Sequence, residues 1–216
     1  MSAPRFFATC LLSWSLLAGR PAAAQTATDT PPAHAARQGD LALRLRVGPA
    51  YLSTTEAFNE LADRNHSGGG FAFDAEIGGW VSSNVTLCAE VSGAVAFDAS
   101  ADDARTVYSG GFAAADLSTV GIGPSITYVS PWSIYLGVSP AFTIMRTSPT
   151  DHFFLAKDWG SNYFGVGMGF VVAREWRVSD RWRLGAAAQA RYAALPSNGD
   201  VSTMTEYALS VSATHD

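Results

Sequence analysis

Residues 117–145, LSTVGIGPSITYVSPWSIYLGVSPAFTIM, run for 29 positions without a formal charge, and they alternate instead of forming a helical stripe. From Val120 the apolar side holds Val120, Ile122, Ile126 and Tyr128, then Ile134, Leu136, Val138, Phe142 and Ile144. The opposite side holds Thr119, Gly121, Gly123, Ser125 and Thr127, then Gly137, Ser139, Ala141 and Thr143. A period of two is a strand, and Val129-Ser130-Pro131-Trp132 folds the run into a hairpin. A spanning helix here would have to absorb Gly121, Gly123, Pro124, Pro131, Gly137 and Pro140 together with many β-branched residues, which helix propensities oppose. Each arm is about the 9–11 tilted residues that carry a strand across a bilayer.

The same alternation predicts six more strands. The first covers about 40–50, with Leu41, Leu43, Leu45 and Val47 opposite Arg44 and Arg46. The second covers about 70–81, with Phe71, Phe73, Ala75 and Ile77 opposite Asp74 and Glu76; the third, 85–97, sets Val85, Leu87, Val91, Val95 and Phe97 against Thr86, Glu90 and Ser92. After the central hairpin come 163–176, with Phe164, Val166, Met168, Phe170 and Val172 opposite Gly165, Gly167 and Gly169, and 182–194, with Trp182, Leu184 and Tyr192 opposite Gln189 and Arg191. The last, about 205–214, places Tyr207, Leu209 and Val211 opposite Glu206, Ser210 and Ser212.

The connections alternate too. Those at 52–69, 98–111, 146–162 and 195–204 read as long and polar, whereas those at 82–84, 129–132 and 177–181 are short. Long outer loops and short periplasmic turns are the pattern of an outer-membrane barrel with an even strand number. Trp80, Trp132, Trp176 and Trp182 all lie beside the short turns, where an interface girdle of aromatics is expected. Simple parity puts Trp80 on the inner side, so a bulge at Gly78-Gly79 is expected to turn it outward.

Charge decides which face is inside. Arg44, Arg46, Asp74, Glu76, Glu90, Arg191 and Glu206 all share the small-residue parity. On a lipid face each mid-depth arginine would cost about 2–4 kcal/mol, so together they would consume the stability of an ordinary domain. A soluble lipocalin-like barrel shows the same alternation turned inside out. Its solvent face, however, would then be mostly Gly, Ala, Ser and Thr. The expected fold is therefore all-β: an eight-stranded antiparallel up-and-down transmembrane β-barrel.

Residues 1–24 read as a signal peptide, with Arg5 before an apolar core at 6–18 and the small residues Ala22-Ala23-Ala24 at the cleavage site. Residues 25–39, rich in Ala, Thr and Pro, read as a flexible N-terminal linker, and 40–216 as the barrel domain. Cys10 leaves with the signal peptide, so Cys88 has no internal disulfide partner and reads as a small buried filler. The net charge is −5 and Lys157 is the only lysine; no basic patch points to nucleic acid.

Over residues 40–216 the pattern resembles the small bacterial outer-membrane β-barrel family, the eight-stranded superfamily that includes OmpA-like and OmpX-like barrels. The resemblance implies outer-membrane lipids and the barrel-assembly machinery as partners. It also directs attention to lipid A enzymes of this size. Such barrels usually end on an aromatic residue, whereas this chain ends Ala213-Thr214-His215-Asp216.

Candidate chemistry is sparse. His34, His66, His152 and His215 all lie outside the strand cores predicted here, and Asp63, His66 and Ser67 share a loop without a nucleophile–base arrangement. Asp63, Asn65 and Ser67, followed by Gly68 and with Asp74 further on, resemble the start of a calcium loop and form a weak metal candidate. No cofactor is expected. The expected role is structural or surface-interactive without catalysis, with contact surfaces at 56–70 and at 147–161, which carries Phe153, Phe154 and Trp159. Two alternatives stay open: a narrow conduit for small or hydrophobic molecules, helped by the Gly121/Gly123 and Gly165/Gly167/Gly169 rows, and a lipid-modifying enzyme.

Overall fold

A computed structural model describes residues 41–56, 64–101, 114–149, 161–197 and 200–215. All eight predicted strands are present: β1 (Leu41–Glu56), β2 (Arg64–Ser82), β3 (Val85–Ala101), β4 (Ala114–Val129), β5 (Ile134–Pro149), β6 (Ser161–Arg177), β7 (Trp182–Ser197) and β8 (Asp200–His215). Each pairs antiparallel with its sequence neighbours, and β1 pairs with β8, so the sheet closes in chain order into an up-and-down barrel. The described residues contain no helix.

Parity sorts the side chains as charge requires. Leu45, Val47, Phe71, Phe73, Ile122, Phe142, Phe164, Val166 and Phe170 are exposed on the outer wall, Phe142 to 72 %. Arg44, Arg46, Asp74, Glu76, Glu90, Arg191 and Glu206 are all buried in the interior. A continuous apolar wall around a polar filling is unstable in water and stable in hydrocarbon, where a closed ladder leaves no edge unpaired. Cys88 is buried and free.

The strands run past the predicted ends, by several residues on the long-loop side and by at most one at the short turns. Ser53 pairs with Ser67, Thr54 with His66, Thr55 with Asn65 and Glu56 with Arg64, so most of the expected first loop, 52–69, is a hairpin stem. The expected long loop at 195–204 is absent as such: Leu195 pairs with Ser202, Pro196 with Val201 and Ser197 with Asp200, on either side of Asn198-Gly199. Apolar alternation reports only the part of a strand that faces lipid, whereas backbone pairing continues above it with polar side chains on both faces.

The signal peptide 1–24, the linker 25–39, Asp63, and Phe153, Phe154 and Trp159 fall outside the described residues.

Candidate functional site

The interior is filled in three levels, beginning at the short-turn end. There Trp80, Val129, Tyr135, Ala42, Ala173 and Ala187 form an apolar floor. Arg183 donates to the Tyr135 hydroxyl, and its guanidinium lies 5.8 Å from the centroid of the Trp80 ring. Trp80 is thus 3 % exposed and does not join the interface aromatics. No bulge forms at Gly78-Gly79, which pair in register with Cys88 and Leu87 on one side and with Ala42 and Leu41 on the other. The irregularity lies one step later, between Trp80 and Ser82, so parity holds through Trp80. Trp132, Trp176 and Trp182 are exposed at that end.

The middle level is the charge network, and strand register builds it. Arg44 stands opposite Glu76 and Arg46 opposite Asp74 across β1/β2, while Arg191 stands opposite Glu206 across β7/β8. Glu76 stands opposite Glu90, a like-charge pair that is unfavourable alone. Arg46 relieves it, hydrogen-bonding Glu76 and lying 3.9 Å from Glu90 and 3.8 Å from Asp74. From the far wall Arg191 donates to Asp74 at 2.8 Å and to Glu90 at 2.9 Å, and reaches Glu206 at 3.4 Å. Arg44 donates to Glu76 at 2.7 Å and to Thr214 at 3.1 Å; Thr214 in turn donates to Glu175 at 2.9 Å. The seven predicted interior charges therefore meet in one network, joined by Glu175, while Arg183 extends the buried charge into the floor.

The glycine rows flank this network without opening it. A Cβ on Gly169 would sit 2.5 Å from the Ser139 hydroxyl, one on Gly167 2.9 Å from that of Thr143, and one on Gly121 2.8 Å from that of Ser92. The space that these glycines leave is taken by hydroxyls. A void lined by Arg46, Asp74, Glu90, Ser139 and Arg191 measures about 10 Å³, room for roughly one water molecule.

The outer level is apolar again, with Leu52, Ala96, Ala99 and Leu117 on one side and Met145, Tyr163, Leu195 and Met204 on the other. Within it Glu56 accepts a hydrogen bond from Thr147 at 2.5 Å, and His66 is 1 % exposed. Both escape a reading that stops the strands at the lipid edge.

Of the calcium candidate, Asp63 lies outside the described residues, and the described oxygens do not converge. Asn65 and Ser67 lie in the extended β2 backbone instead of a tight turn, on the parity opposite to His66 and Asp74. Their oxygens cannot converge with the Asp74 carboxylate, which already binds Arg191. Among the described residues no three His, Cys, Asp or Glu side chains form a metal-holding group.

No protein-family model matches the sequence, and no curated protein sequence does. Solved structures of similar shape include Neisserial surface protein A (14 % identity, covering 81 % of this chain and 97 % of that one, TM-score 0.48). The outer membrane protein AlkL in lipid bilayers is another (17 %, 91 % and 95 %, TM-score 0.46). So is the outer membrane protein OprG from Pseudomonas aeruginosa (7 %, 81 % and 96 %, TM-score 0.42). By its own closed eight-strand ladder, apolar wall and polar filling, the chain has the fold of the small outer-membrane β-barrels.

Proposed function

We propose that the protein is a non-conducting outer-membrane barrel with a structural or surface-interaction role and no catalysis. In this reading the short turns lie in the periplasm and the β-hairpins extend outward beyond the membrane. The carrying observation is the crossing of the lumen by arginine. Arg191 on β7 binds Asp74 on β2 and Glu90 on β3, while Arg46 on β1 reaches the same carboxylates. With an apolar floor below and an apolar level above, this network supports a sealed and rigid scaffold. Eight strands leave room for side chains and little more.

Polar surface carried above the lipid belt supports a presentation role, since Ser53, Thr55, Asn65 and Ser67 occupy outward positions on the β1/β2 stem. Planar-bilayer recording on the purified, refolded protein tests the sealed lumen. The expected result is no conductance above the bare bilayer. Steady single-channel steps that shift in Arg191→Ala would instead establish a pore through this network. Mass spectrometry of lipid A from expressing cells tests the enzyme alternative, and the expected spectrum is unchanged.

A further inference from the structure

The arginines are distributed unevenly over this barrel. Arg44, Arg46, Arg183 and Arg191 are buried, and Arg146 is exposed near the outer end of β5. The remaining exposed arginines among the described side chains, Arg174, Arg177 and Arg181, are gathered at the β6–β7 turn. Asp180 is the one carboxylate within that turn, and the other two short turns, 83–84 and 130–133, carry no charge. A chain with net charge −5 therefore keeps a local cationic corner on its turn-side rim.

The three arginines differ in what they do. Arg177 donates to the carbonyls of Ser179 and Asp180, at 3.2 and 2.9 Å, and holds the turn. Arg174 faces outward, three residues inside the end of β6, between Ile134 on β5 and Ala186 on β7. Its guanidinium lies 5.6 Å from the Trp176 ring centroid, and among the described residues it forms no ion pair with a carboxylate. Arg181 is exposed beside Trp182. An outward arginine at that depth reaches toward the boundary with its apolar stem on the wall and its charge at headgroup level. Tryptophan favours the same level.

We propose that this corner binds the phosphodiester of an anionic phospholipid in the turn-side leaflet, with Arg174 and Arg181 as its cationic partners and Trp176 and Trp182 flanking the glycerol region. The proposal rests on the membrane reading given above. A planar guanidinium matches two phosphate oxygens at once, and basic residues close to an anionic surface each strengthen attachment severalfold.

Native mass spectrometry of the folded protein, released from micelles containing equal dioleoyl-phosphatidylglycerol and dioleoyl-phosphatidylcholine, tests it. The intact protein should retain phosphatidylglycerol in about tenfold or greater preference. Arg174→Gln/Arg181→Gln should bring the preference to within about twofold, while Arg146→Gln should leave it intact; Arg177 is spared because it holds the turn. Equal retention of both lipids, or a preference unchanged in the double variant, would overturn the proposal. Displacement of the lipid by inorganic phosphate would also overturn it, making the corner a general phosphate site. Gel mobility with and without boiling, run on the same samples, separates the two levels. If the folded, faster band is present without lipid preference, the corner alone fails. If that band is missing, the membrane reading falls and the proposal with it.

Discussion

Pro124 and Pro140 stand opposite each other across β4/β5. The register is continuous from Ile122↔Phe142 to Ile126↔Val138, and the ladder is interrupted only between them. On their other sides both strands stay paired at these positions, Ala89 with Pro124 and Pro140 with Met168. The two missing N–H groups therefore remove both bonds of one mutual pair, and no bond to β3 or β6 is lost. Two prolines in one closed barrel, awkward when taken singly, become a single defect when they face each other.

Amide exchange tests this pairing better than stability does. Restoring a bond contributes about 0.5–1.5 kcal/mol, but replacing proline frees the unfolded chain by about 0.4–1 kcal/mol, so the two nearly offset. In Pro124→Ala/Pro140→Ala, the new amides at 124 and 140 should both be strongly protected in hydrogen-exchange NMR. Fast exchange at either would show that the two positions do not share a pair.

The interior arginines should be unequal to their partners in consequence. Arg191→Met leaves Asp74, Glu90 and Glu206 without their shared cation and should lower urea-unfolding stability by about 3–5 kcal/mol. Glu206→Gln leaves Arg191 bound to Asp74 and Glu90 and should cost less than half as much. Equal losses would mean that the network is not organised around Arg191.

Glycine substitutions test the claim that the glycine rows are packed. Gly169→Ala drives a methyl to 2.5 Å from the Ser139 hydroxyl and should destabilise by about 1–3 kcal/mol. Gly69→Ala meets nothing within 4 Å and should lie within about 0.5 kcal/mol of the parent. A neutral Gly169→Ala in urea titration would reveal free space beside the network.

Tryptophan quenching separates the floor from the girdle. In single-tryptophan variants reconstituted with brominated lipid, Trp132, Trp176 and Trp182 should be quenched strongly and Trp80 hardly at all. Strong quenching of Trp80 would restore the outward assignment and require a bulge before it.

Parity alone made much of this barrel legible. Because side chains alternate without exception along a regular strand, parity places Arg44, Arg46 and Glu90 inside, and it places Trp80 there too, since the register is unbroken up to that residue. Carried two residues at a time, the same count from Gly169 reaches Glu175, and from Arg191 it reaches Arg183. Parity marks both as interior although they lie beside a turn. Strand ends were not legible, since Thr55 and Asn65 carry no apolar mark where the wall leaves the lipid. The Asn198-Gly199 dipeptide is a strong hairpin signal in the sequence, in keeping with the pairing of Ser197 and Asp200 beside it. Which carboxylate each arginine binds depends on register and on reach across the lumen, as with Arg191 and Glu90, and strand-by-strand alternation holds no record of that.

Electrophoresis of the outer-membrane fraction with and without boiling reports at once on barrel closure and on residence in the outer membrane. The expected result is a band confined to that fraction whose mobility shifts on boiling, because a closed ladder survives detergent until heated. An unshifted band in the soluble periplasm would contradict a membrane barrel and turn the apolar wall into an interior.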